Sequence, residues 1–135
     1  MLGIALFVLR LVLGIIFVAH GAQKLFGSFG GPGMSRFRGA LEQMGVKPAW
    51  LMAILAALAE FGGGILVILG FLTPLAALAL IAVMIVAIVT VHLKNGFFAA
   101  NGGYEFNLAL AGMALTLLVV GGGAYSIDRY LGIFW

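Results

Sequence analysis

The 135-residue chain has no cysteine, three prolines, four acidic residues and only 8% charged residues in all. Without cysteine it has no disulfide, no thiolate nucleophile, no iron–sulfur ligand and no CxxC redox pair of its own. An average soluble domain is about 25% charged, so this chain lacks the polar surface that a water-soluble globule needs. Seven Lys and Arg give a net charge of +3. That charge reflects scarcity of acids, not a basic face, and nucleic acid is excluded as a partner. What the chain holds in abundance is hydrophobic residues, 64% of the total. It is composed as a membrane protein, with the lipid bilayer as its first partner.

Four apolar stretches divide it: residues 2–25, 49–72, 74–93 and 105–125. Spans of about 20 residues cross the hydrocarbon as helix. The runs are continuous, without the in–out alternation of barrel strands. The expected fold is therefore all-α, a single four-helix transmembrane domain. The end of the fourth span is the loosest boundary, because Gly121, Gly122 and Gly123 interrupt it. Thr73-Pro74 joins spans two and three so tightly that they form an antiparallel hairpin, with Thr73 as N-cap and Pro74 at the first helical position. In the first long loop, Phe37, Leu41 and Met44 recur at helical spacing opposite Arg36, Arg38, Glu42 and Gln43, which predicts an amphipathic interfacial helix over Met34–Met44. The loops carry Lys24, Arg36, Arg38, Lys47 and Lys94 against Arg129 on the side of the termini. The positive-inside rule then puts the loops in the cytoplasm and the protein in the cell membrane.

Ionisable residues inside such spans cost at least about 2.5–3.5 kcal/mol each on insertion scales, so each marks a candidate functional site. Arg10 and Glu60, counted from the same membrane face, lie at similar depth, which predicts a buried Arg10–Glu60 ion pair between spans one and two. The pair has two readings, a registry lock and a binding element. Toward the other face, His20, Lys24, His92, Glu105 and Asn107 all lie at helix ends. Together with Glu60 they are expected to line one polar cavity. Each also has a plainer reading: the histidines cap helix ends, and lysines snorkel to the interface. His20 and His92 on different helices have the placement of bis-histidine haem ligation, without any spacing motif to support it. No closed metal site is expected, since four N/S donors are lacking. Asp128 and Arg129 read as solvated end residues, with Ser126 as a cap. The glycine runs lack the order of a phosphate-binding loop, and no Ser–His–acid arrangement is evident.

The segments HGAQKLFG (20–27), AEFGGGILVILGFLTP (59–74), His92, GGYEFNLAL (102–110) and GAYSIDRYL (123–131) resemble, in this order, the DoxX family of small four-helix membrane proteins. The resemblance covers nearly the whole chain. It implies association with quinol-linked or oxidative-stress oxidoreductase systems, and it offers His20, Lys24, Glu60, His92 and Glu105 as candidate positions. On this basis the chain is expected to bind a lipophilic small molecule, with quinone as the leading cofactor and haem behind it. The alternatives are a scaffold subunit docking redox-enzyme partners through Met34–Met44, and a small transporter or proton pathway. Small-residue helix faces would permit a homo-oligomer. No complete catalytic motif is readable in this chain.

Overall fold

The structure, a computed structural model, describes residues 1–134. In lipid a single segment can satisfy all its backbone groups only as helix. The described residues form α1 (Leu2–Phe26), α2 (Gly33–Gln43), α3 (Ala49–Leu69), α4 (Thr73–Ala87), α5 (Glu105–Val120) and α6 (Ile127–Leu131), with no strand among them. Beyond Ala87 the chain continues through a π turn, Ile88–His92, and a 3-10 turn, Leu93–Asn95. Three rods, Leu2–Phe26, Ala49–Leu69 and Thr73–Asn95, are long and apolar enough to cross a membrane, and α5 is a shorter apolar helix. The protein is a polytopic helical membrane bundle. Side chains such as Val8, Leu55, Leu78, Val89 and Leu115 are exposed on the isolated chain and suit acyl tails, while Leu13, Phe17, Val67, Leu80 and Leu117 fill the interior.

The fourth apolar stretch is shorter than its composition suggests. Gly121 leaves the helix at φ 87°, ψ −173°, and Gly123 follows at φ 86°. These are backbone conformations that a side chain disfavours. The helix therefore stops at Val120 and does not run to residue 125; the triplet turns the chain into α6.

The helices pack in the order α1, α3, α4, α5, with α1 and α5 touching least of the neighbouring pairs. Hydrophobic sorting does not drive helices together in lipid, so close backbone approach must do so. Glycines supply it between α1 and α3: a Cβ on Gly14 would stand 2.8 Å from the Gly64 carbonyl oxygen, and one on Gly21 would stand 2.5–2.7 Å from the Phe61 backbone. These contacts fix the register. Gly21→Ala is expected to cost about 1–3 kcal/mol through overpacking, whereas Gly62→Ala, with nothing within 4 Å of its Cβ, should leave thermal unfolding in detergent unchanged. Equal effects at the two positions would refute the register argument.

The register also staggers the two rods. Arg10 lies beside the last turn of α3, so Leu2 to Leu9 overhang α3 by about two turns on the side of the termini. At the other end α3 outruns α1. There α2 fills the space: its apolar face, Met34, Phe37 and Leu41, packs on Val46, Ala49 and Ala53. The amphipathic helix is present as expected, and its apolar side serves the bundle itself.

Candidate functional site

Two polar clusters occupy opposite ends of the bundle, separated along the helices by the fully buried apolar layer of Leu13, Leu80 and Leu117.

At the end carrying the termini, Arg10 is completely buried. Its Nη1 donates to the carbonyls of Val67 (3.4 Å) and Ile68 (3.2 Å), and its Nη2 donates to that of Tyr125 (2.7 Å). The predicted Arg10–Glu60 ion pair is not formed. Depth counting assumed flush helix ends; the stagger brings Arg10 level with Ile68, about two turns from Glu60. Arg10 instead caps the C-terminus of α3, where a cation meets the last-turn carbonyls and the negative end of the helix dipole. Gly70 takes φ 67° there, and a Cβ on it would collide with Arg10 Nη1.

The N-terminus of the next helix is capped by the opposite charge. Asp128, read as solvated from the sequence, is 1% exposed. Its carboxylate accepts from Leu72 N (2.7 Å) and Thr73 N (2.8 Å), while its own N–H donates to Gly70 O (2.9 Å). Thr73 is thus not the N-cap: helix α4 begins at Thr73, Leu72 holds the cap position, and Thr73 Oγ1 and Arg10 Nε are buried without a partner among the described residues. Ser126 does cap α6, accepting from Arg129 N at 3.2 Å. No local sequence signal marks Asp128, because the amides it caps lie 56 and 55 residues away.

At the loop end, Glu60 is 2% exposed and both its oxygens accept from Lys24 Nζ, each at 2.6 Å. Lys24 Nζ also stands 5.1 Å from the Phe37 ring centroid, so α2 covers the ammonium by a cation–π contact. This pair forms the wall of a cavity of about 440 Å³. Five of the predicted residues, His20, Lys24, Glu60, His92 and Asn107, line it. Glu105 does not: its carboxylate accepts from Ala99 N at 3.1 Å and orders the preceding loop. The sequence reading missed the apolar walls, chiefly Phe17, Met84 and Phe106, and the roof of Gly102 and Gly103. Phe17 and Leu110 were findable, since each lies three residues from a polar lining residue on the same helix face.

The polar groups are held in defined orientations. The π turn ends on His92, a feature that often marks functional positions, and His92 Nδ1 is 2.8 Å from Gly102 O. Asn107 Nδ2 points to Met84 Sδ at 3.6 Å. The His20 ring lies 5.8 Å from the Phe106 ring, bridging the loosest seam of the bundle, α1 to α5. No group of three His, Cys, Asp or Glu that could hold a metal ion occurs among the described residues. The arrangement can desolvate a ring-sized apolar body while offering it hydrogen-bond donors and acceptors.

Residues 5–93 match the DoxX family. The chain belongs to the DoxX family. Its DoxX relatives include the inner membrane protein YqjF of Escherichia coli (strain K12), 32% identical over 98% of this chain and 95% of that protein. An uncharacterized membrane protein of Mycobacterium tuberculosis is 34% identical over 91% of this chain and 78% of its own length. A Bacillus subtilis relative named "Putative oxidoreductase CatD" is 31% identical over 91% of this chain and 84% of its own. No solved structure shows significant similarity to it. The DoxX match takes in α1 from Ala5 onward, α2 to α4 and His92, and so the Lys24–Glu60 pair and about half of the cavity wall.

Proposed function

We propose that this DoxX protein is a membrane component of a redox system that binds a lipophilic, quinone-type small molecule in the loop-side cavity. The observation that carries the reading is a buried carboxylate, Glu60, held by Lys24 at the wall of a cavity that also presents two imidazoles, an amide and two phenyl rings. Its volume of about 440 Å³ falls in the range of small-ligand sites, about 300–1,000 Å³. An ionisable pair within a membrane bundle is a site by default, and quinone reduction and quinol oxidation both move protons, which imidazole and carboxylate handle. The oxidoreductase name of the relative CatD points the same way. The role proposed is binding and proton handling, with electrons exchanged through a partner enzyme.

Two other readings have less support. A scaffold docking partners through the apolar side of α2 would need a surface that is packed on α3. A transport path would have to pass the buried layer of Leu13, Leu80 and Leu117.

Titration of the purified protein in detergent with menadione, a 1,4-naphthoquinone, is expected to show saturable binding near one molecule per chain. Ala87 lines the cavity, and Ala87→Trp should fill it and weaken binding by at least about tenfold, the equivalent of ~1.4 kcal/mol. Unsaturable partitioning, or binding indifferent to Ala87→Trp, would remove the reading.

A further inference from the structure

We infer that the cavity is built for the reduced, hydroxyl-bearing form of an aromatic ring in preference to its oxidised, carbonyl form. The inference rests on the binding role proposed above and goes beyond it by assigning the redox state of the preferred ligand.

The argument is an inventory of hydrogen-bonding valence. His92 Nδ1 stands 2.8 Å from the carbonyl oxygen of Gly102. A carbonyl only accepts, so Nδ1 must carry the hydrogen. In the neutral ring Nε2 is then a bare acceptor, with no partner among the described residues. Asn107 is fixed by the same logic. Its amide lies 3.6 Å from Met84 Sδ, and a thioether only accepts, so Nδ2 faces the sulfur and Oδ1 is the end left without a partner. Two acceptors in the cavity lining are therefore set by acceptor-only neighbours.

Donors are no more numerous, and the Lys24 ammonium is already partly engaged. Lys24 Nζ has three hydrogens, and its two 2.6 Å bonds to the Glu60 carboxylate use two of them. One remains, beside the second amide hydrogen of Asn107. His20 has no hydrogen bond among the described residues and adds one donor and one acceptor in either tautomer. A quinone brings acceptors only. It would leave Asn107 Oδ1, on a residue 8% exposed, with nothing to accept, where an unmade bond costs more than a made one gains, and it would bring no donor to His92 Nε2. A hydroquinone brings two hydroxyls that donate to those acceptors, and each hydroxyl oxygen still accepts from Lys24 or Asn107.

The test is an anaerobic titration of the purified full chain in detergent with menadiol and, separately, menadione. The reduced ring is expected to bind at least about tenfold more tightly, which raises the midpoint potential of the bound two-electron couple by about 30 mV relative to the free couple. In Asn107→Ala the preference should shrink severalfold because menadiol affinity falls by more than menadione affinity, whereas a merely structural role for Asn107 would weaken both forms alike. Equal binding, or tighter binding of menadione, overturns the inference and leaves the binding role standing. Failure of both forms to bind saturably overturns the two together.

Discussion

Asp128→Ala is expected to destabilise the folded chain by about 3–5 kcal/mol, the largest effect of any substitution outside the cavity. The residue is 1% exposed and its two oxygens hold the amides of Leu72 and Thr73. Removing it strands two buried donors, each costing about 1–3 kcal/mol. It also takes from Arg10 the anion whose field it feels. Leu72 adds to the dependence, because it is held at φ 51°, a left-handed conformation that costs a non-glycine residue roughly 1–2 kcal/mol. Asp128→Asn should fall between, since its amide retains one acceptor and turns a donor toward the second N–H. Arg129→Ala, at an exposed neighbour, should stay within about 0.5 kcal/mol. Thermal unfolding of the four proteins in the same detergent checks this order; an Asp128→Ala melting curve matching that of Arg129→Ala would show that the carboxylate caps nothing of consequence.

Lys24→Met comes next, with an expected loss of about 3–5 kcal/mol. The cost arises on the partner: Glu60 is 2% exposed and would be left as an uncompensated anion. Glu60→Gln should cost less, because the Lys24 side chain keeps 23% exposure and the face of Phe37. The double variant Lys24→Met/Glu60→Gln should recover most of the loss, since apolar or neutral replacements of a buried pair are often tolerated. Its menadione and menadiol titrations then separate two roles. If the pair only locks α1 to α3, the refolded double variant binds as the parent does. If Lys24 contributes its remaining hydrogen to the ligand, binding is lost although stability has returned.

How far the sequence reaches can be seen residue by residue. Helix existence follows from apolar run length, and the ends at Phe26, Ala49 and Glu105 follow from where those runs break. His20, Lys24, His92 and Asn107 share a cavity because they lie toward helix ends on one side, a property of chain direction that spacing alone reveals, and Glu60, midway along α3, forms its floor with Lys24. Pairing is different. Which cation meets Glu60 depends on the vertical offset of α1 against α3, and that offset is set by the contacts of Gly14 and Gly21, which look in the sequence like any other glycines. Glu105 was misplaced for a related reason: a carboxylate at the first turn of a helix can turn back to a loop amide, here Ala99 N, as easily as forward into a cavity. Asp128 was missed because nothing local distinguishes it; its value lies in amides 55 and 56 residues away.

That separation has a consequence for biogenesis. A nascent chain emerges in order, so the hairpin between α3 and α4 is made while the acid that completes its turn is still dozens of codons from synthesis. Until then the amides of Leu72 and Thr73 must rely on water, headgroups or an insertase for hydrogen bonds, and the closure of this end of the bundle waits for a segment translated well after the hairpin.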